Sequence, residues 1–238
     1  MKATLPVSSF SKASLEFLQS AGKQEETDWL EKNNLKYQQL IRLPLMTLAE
    51  YLKSELAAES GGYHFPTKGI GRIKRPSNKV GMDGGQFKDW VSYIATRPSE
   101  SRFEKNPLLF FGLLPNDEQW RGAVIAGGLY MASSTQVRRI RRAIENDSSA
   151  FRTLFADKDF KKSFKSGFEP MVKASRCPRG FDPDHPDVEW IKLKTFFAAK
   201  KLSIQALSTK DLAENICNDF RQLLRLNALL QDAIDIER

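Results

Sequence analysis

Apolar residues recur every three or four positions through the first quarter of the chain. Trp29, Leu30, Asn33, Tyr37, Leu40 and Ile41 follow one helical stripe, and Leu45, Leu48, Leu52 and Leu56 follow another. The spacing predicts a short helix bearing Leu15, Phe17 and Leu18 with Ser14 as its cap, a second helix over residues 27–40, and a third that Pro44 opens and Gly61-Gly62 ends. The period then changes. Residues 69–80 read as a strand interrupted by Pro76, and residues 87–96 alternate in a strand-like way. Residues 108–114 and 120–131 read as buried strands, the latter rich in small residues (Ala123, Ala126, Gly127, Gly128). Short links between four consecutive strands predict antiparallel pairing, because parallel pairs need long crossovers. Asp83-Gly84-Gly85 marks a turn between the first two. Helical spacing returns after Met131, where Ser133 or Ser134 caps a helix holding Val137, Ile140 and Ile144. Two short helices over residues 150–155 and 157–164 follow, then a loop over 178–186 and a strand over 190–199. A long helix over residues 211–236 closes the chain.

These elements define an α+β fold: a mostly antiparallel central sheet with N-terminal and C-terminal helices packed around it. In the absence of repeats or a low-complexity linker, the simplest division is a single domain over residues 1–238. It is helical over 12–62, sheet-rich over 67–131, helical over 133–165, loop and strand over 166–200, with a C-terminal helix over 209–236. Composition agrees, since 41% hydrophobic and 28% charged residues lie in the ordinary globular range. No apolar run approaches the roughly 18 residues that a membrane span needs. Residues 1–10 lack the apolar stretch of a secretory signal, so a soluble cytoplasmic protein is expected.

Known chemical signatures are sparse. The two cysteines, Cys177 and Cys217, show no paired spacing, and His64 and His185 belong to no metal-ligand motif, so no metal is expected. There is no phosphate loop and no nucleophile elbow. Gly69 and Gly71 form a GxG, but Lys74 stands where a dinucleotide fingerprint needs its third glycine. No cofactor is named by the sequence.

Charge is more informative by segment than in total. The chain carries a net +8. Residues 67–105 hold +5 and residues 132–180 hold +7, while residues 1–66 hold −1, 106–131 hold −1 and 181–238 hold −2. The first block offers Arg72, Lys74, Arg75, Lys79 and Lys88. On a strand, Arg72 and Lys74 face one side while Ile73 and Arg75 face the other. A hairpin turning near Gly84 returns Lys88 towards Arg75 or Lys79. Converging cations are costly unless a carboxylate or a bound anion neutralises them, and arginine suits carboxylate or phosphate through paired hydrogen bonds. Asp89 is the nearest carboxylate and Trp90 an adjacent aromatic wall. The competing structural reading is a solvated or salt-bridged strand face.

The second block offers two candidates. Arg176, Arg179 and the Gly180-Phe181-Asp182 turn lie in a loop restricted by Pro178 and Pro183. Its structural alternative is an Arg179 pairing with Asp182 or Asp184. Cys177 lies beside these arginines, a setting that favours a thiolate. Arg138, Arg139, Arg141 and Arg142, extended by Lys158, Lys161, Lys162 and Lys165, could form a nucleic-acid surface. Phe151, Phe155, Phe160 and Phe164 are spaced like helix core rather than like a stacking platform.

Several pieces in fixed order resemble the domain of unknown function 2461 family: Trp29-Leu30, Asn33, Tyr37 and Pro44; Arg72-Ile73-Lys74-Arg75; Phe87-Lys88 before Trp90-Val91-Ser92; Gly127-Gly128-Leu129-Tyr130-Met131; Arg138, Ile140 and Arg141; Pro178-Arg179-Gly180-Phe181-Asp182; and Leu193-Lys194 with Phe196-Phe197. The resemblance runs from about Leu15 to the C-terminal helix. Where many members carry an Arg-Phe-Ser-Lys-Asp-Lys-like run, this chain has Pro76-Ser77-Asn78-Lys79-Val80-Gly81-Met82-Asp83-Gly84-Gly85, keeping a basic position at Lys79. The resemblance implies a shared fold and a shared site, and no reaction.

The expected function is therefore binding of a small anionic or phosphorylated ligand in a basic cleft, by Arg72, Lys74, Arg75, Lys79, Lys88, Asp89, Trp90, Arg179 and Asp182. One alternative is an enzyme, a hydrolase or transferase, acting on an anionic substrate there, with Asp89, Asp182 or His185 as acid or base. Another is a nucleic-acid-binding protein using the basic helical surface 138–165. A protein-interaction scaffold is the remaining possibility.

Overall fold

The computed structural model describes residues 9–81, 84–99 and 103–235. Residues 1–8, the Asp83 of the expected turn and the Ile236 of the expected last helix lie outside the described residues. In chain order the helices are α1 (Lys12–Ala21), α2 (Trp29–Lys32), α3 (Asn34–Tyr37), α4 (Leu43–Leu56), α5 (Ser134–Asn146), α6 (Ser149–Ala156), α7 (Lys158–Ser163), α8 (Val188–Ile191), α9 (Ile204–Leu207) and α10 (Leu212–Asp235). The strands are β1 (Val91–Thr96), β2 (Leu108–Leu114), β3 (Gly122–Leu129) and β4 (Phe196–Leu202). They form one antiparallel sheet in the order β1-β2-β3-β4, so the fold is α+β as the patterning predicts. No helix among the described residues is long and apolar enough to cross a membrane.

Two compact units share the chain. The first comprises residues 1–95, 110–125 and 201–218, the second residues 96–109, 126–200 and 219–238. In the first unit, α1 and α4 bury Leu15, Phe17, Leu18, Leu45, Leu48, Leu52 and Leu56. Phe17 stacks on Trp29 at 5.4 Å and Trp29 on Phe87 at 5.5 Å, joining the helical opening to the segment that leads into β1. Strand β1 alternates with Val91, Tyr93 and Ala95 buried, as a half-covered strand should. In the second unit the phenylalanines read as core do pack as core. Phe155 meets Phe151, Phe160, Phe168 and Trp190 with ring centroids 6.4, 5.5, 4.9 and 5.3 Å apart.

Helix α5 begins as its sequence predicts. Ser133 is the N-cap and its hydroxyl accepts from the Gln136 N–H at 3.2 Å. The Gln136 side chain returns a bond to the Ser133 N–H at 3.1 Å and donates to the Lys105 carbonyl at 2.6 Å. Gln136 is buried, so these bonds satisfy a polar group that would otherwise be costly to bury.

Several expected elements are redrawn. Residues 69–80 do not form a strand. Gly69 and Gly71 adopt positive φ (73° and 71°), Pro76 has no N–H to give, and residues 77–79 wind into a 3-10 turn. What survives is one antiparallel bridge, Lys74 to Phe87, with Arg75 N–H on Gln86 O at 3.0 Å and Lys88 N–H on Ile73 O at 2.8 Å. The fourth strand of the sheet is β4 instead. The helix expected over 27–40 breaks at Asn33, whose side-chain amide donates to the Trp29 carbonyl at 3.0 Å. It then runs from α3 through a π-turn, Gln38–Arg42, into α4. Pro44 near the start of α4 has no N–H for the usual bond to Leu40, and the wider turn accommodates that loss. Ser11, not Ser14, is the cap of α1, with the Ser11 N–H donating to Ser14 Oγ at 3.1 Å. Helix α4 ends at Leu56, ahead of Gly61-Gly62. Strand β1 begins at Val91, and the first part of the strand expected over 190–199 completes α8 before β4 starts at Phe196.

Candidate functional site

The first unit gathers cations around the bridge between residues 73–75 and 86–88. Its scaffold is local. Tyr37, at the end of α3, donates its buried hydroxyl to the Gly71 carbonyl at 2.9 Å. Gly71 takes a left-handed φ of 71°, and an added Cβ would lie 3.3 Å from Leu45 Cδ2 and 3.9 Å from Arg42 Cα. Arg72 is thereby held beside the end of the π-turn. Ile73 is buried and anchors the segment from below. The Lys88–Ile73 backbone bond brings Lys88 back across from Arg72 and Arg75.

The charges bear on one another. The Lys88 ammonium is held below its usual pKa, first by burial and then by the Arg75 and Arg72 charges. Tyr37 is pushed up by burial, against the opposing pull of Arg42 and Arg72. Among the described residues, Arg42, Arg72, Arg75 and Lys88 form no ion pair with a carboxylate, and Arg75 Nε is buried without a hydrogen-bond partner. The Arg75 guanidinium lies over Gly84, where an added Cβ would sit 3.2 Å from Nη2. Lys88 Nζ rests 4.6 Å above the centre of the Trp90 ring, a cation–π contact.

The other predicted residues of this block have separate places. Lys74 is exposed and reaches the Thr27 carbonyl at 3.4 Å. Lys79 is exposed at the end of the 3-10 turn. Asp89 accepts from the Asn116 amide at 2.8 Å, and its Cβ fills the space over Gly22. Among the described residues it forms no ion pair with Arg72, Arg75 or Lys88. The strand expected to alternate Arg72 and Lys74 with Ile73 and Arg75 is reduced to one bridge, Lys74 to Phe87, with Ile73 buried and Arg72 and Lys74 exposed.

Tyr37 and Arg42 are the residues that sequence reasoning missed. In an α-helix, residues five apart point about 140° away from each other. The i to i+5 turn changes that relation, and only Pro44 hints at it in the sequence.

The loop of the second unit is strongly tied to α5. Arg141 donates from Nε and Nη2 to the Leu193 carbonyl at 3.2 and 2.9 Å, and its burial depresses its pKa. Arg142 pairs with Glu145 and lies 4.4 Å over the Phe181 ring. The second Glu145 oxygen accepts the Asp182 N–H at 2.9 Å, and Asp182 Oδ1 accepts the Asp184 N–H at 2.9 Å. His185 Nδ1 accepts the Asp187 N–H at 3.0 Å. Asp187 in turn receives Arg152 Nη2 at 2.8 Å and the Ser148 hydroxyl. Arg139 pairs with Glu104 at 3.4 Å. Cys177 donates to the Phe181 carbonyl at 3.5 Å, and its charged neighbour is Arg141. Arg176 and Arg179 are exposed, and neither Asp182 nor Asp184 forms an ion pair with Arg179. Among the described residues no group of His, Cys, Asp or Glu is arranged to hold a metal ion.

Fold and geometry thus describe an α+β protein whose first unit carries clustered cations without acidic partners. The chain belongs to the family of conserved hypothetical proteins designated DUF2461, whose model matches residues 13–228. That span contains every motif that carried the resemblance. Comparison with curated proteins and with solved structures gives no match.

Proposed function

We propose that the protein binds a small anionic or phosphorylated ligand at the cluster formed by Arg72, Arg75 and Lys88, with Lys74, Lys79, Asp89 and Trp90 around it. One observation supports the reading: Arg72, Arg75 and a half-buried Lys88 gather about one backbone bridge and have no carboxylate partner among the described residues. Like charges held together cost stability, and a bound anion offsets that cost. In the second unit, Arg179 is an exposed cation with no ion-paired acid among the described residues, which supports a separate anion contact by its own loop. Asp182 supports that loop through its bonds to Glu145 and Asp184.

The test is thermal unfolding of the full chain with inorganic phosphate and a panel of phosphate esters and carboxylates. A ligand at about 100 times its Kd stabilises by about 2.7 kcal/mol. For a chain of this size each kcal/mol raises Tm by about 2–4 °C. Arg72→Ala is expected to abolish the response. No stabilisation across the panel overturns the proposal.

The enzyme reading draws less support, because Asp89, Asp182 and His185 are each engaged in local bonds. The nucleic-acid reading draws less as well. Arg139, Arg141, Arg142 and Arg152 are each occupied by an acid or a carbonyl of their own unit.

A further inference from the structure

We infer that the ligand of this cluster carries two anionic groups, as a diphosphate or a bisphosphate does, and that Arg42 receives the second of them. The inference rests on the anion-binding reading above and names its ligand class.

Geometry places Arg42 at the cluster. It is the last residue of the π-turn, its Cα lies beside Gly71, and the residue after Gly71 is Arg72. The Tyr37 hydroxyl, five residues before Arg42, is the group bonded to the Gly71 carbonyl. Both Arg42 and Arg72 act on that hydroxyl electrostatically, while Arg72 and Arg75 act on Lys88. Backbone geometry places the four cations in one region: Arg42 beside Gly71, Arg72 next in the chain, and Lys88 and Arg75 on either side of the bridge from Lys74 to Phe87. Arg42 is exposed, and the whole group lacks an acidic partner among the described residues.

Charge decides the ligand class. A monoanion would leave most of this positive charge unpaired. A single phosphate offers its charge at one point, which suits the Arg72, Arg75 and Lys88 end. Arg42 comes to the cluster from a different element, the end of the π-turn at Gly71, whereas Lys88 and Arg75 come from the bridge. Two anionic groups joined in one molecule would engage both ends. Arginine adds paired hydrogen bonds to each phosphate that it meets. The π-turn is in keeping with this, since wide turns inserted in helices are frequent at functional sites.

The experiment is calorimetric titration of the full chain with inorganic phosphate and with inorganic diphosphate, at constant ionic strength. Wild type is expected to bind diphosphate about tenfold more tightly than phosphate, the worth of one further charge-assisted pair. Arg42→Gln, which keeps much of the stem, is expected to remove that preference and leave phosphate affinity within about twofold. Arg138→Ala, an exposed arginine on α5, is expected to change neither. Equal affinities for the two anions in wild type overturn the inference. So does an equal loss of both in Arg42→Gln, or a comparable loss in Arg138→Ala, which would indicate unspecific attraction of polyanions. In those cases, phosphate binding that still depends on Arg72 leaves the anion site itself standing. If neither anion binds wild type, both readings fall together.

Discussion

Lys88 shows how much one side chain can say about a site. Its ammonium rests over the Trp90 ring, its N–H is fixed to the Ile73 carbonyl, and its charge is disfavoured first by burial and then by Arg75 and Arg72. The fold therefore holds an ammonium where it is less comfortable than in water. Lys88→Gln removes the repulsion and is expected to raise Tm at neutral pH while lowering the anion response, the trade expected of a residue kept for binding. The sign of the pH dependence follows from the lowered pKa. The penalty is fully present below the folded-state pKa of Lys88 and fades as pH rises towards the ordinary value of 10.5. The Tm gap between Lys88→Gln and wild type should therefore narrow as pH is raised from 7 to about 10. A gap that stays constant, or one of opposite sign, contradicts the account. The basic residues themselves were legible in the sequence. What was not legible is that Asp89 turns to Asn116, leaving them without an acid.

Among the elements, the strands with continuous apolar runs were the most readable. Leu108–Leu114 is β2 with the bounds that its composition predicts, and β3 lies within the expected 120–131. Burial on both faces leaves little alternative for such a run. Residues 69–80 failed as a strand because two left-handed glycines and Pro76 outweigh the local alternation. Within β3 the Gly127-Gly128 pair has a packing reason. An added Cβ on Gly127 would lie 2.8 Å from Leu223 Cβ on α10. At Gly128, with φ 132°, it would lie 2.3 Å from the Phe196 carbonyl oxygen on β4. Gly128→Ala thus combines backbone strain with overpacking against main chain, and about 3 kcal/mol or more of destabilisation is expected. Urea unfolding measures it, and a loss under about 1 kcal/mol would show that the strand shifts freely to make room.

On the scale of the whole molecule, a net charge of +8 resolves into two blocks with different fates. In the second block Arg139, Arg141, Arg142 and Arg152 hold a loop and a strand entry through Glu104, Glu145, Asp187 and the Leu193 carbonyl, while Arg138 stays exposed. In the first block Arg72, Arg75 and Lys88 have no acidic partner among the described residues. Duplex DNA is expected to bind weakly and to leave by about 0.2 M salt, since Arg139, Arg141, Arg142 and Arg152 are engaged within the protein and leave Arg138 with the exposed Lys158, Lys161, Lys162 and Lys165 to displace counterions. Retention beyond that concentration, measured by fluorescence anisotropy, would favour the nucleic-acid reading over the anion site. The sequence by itself determined the fold class, the strand cores and the aromatic interior, because periodicity and apolar runs report burial directly. It also located both basic blocks. Only the tertiary structure decided which charges are spent and which are free, because pairing depends on partners distant in sequence. Arg141 finds its carbonyl at Leu193, Asp89 its amide at Asn116, and Arg42 its place beside Gly71. A chain position records a charge, whereas its neutralisation is a property of the space around it.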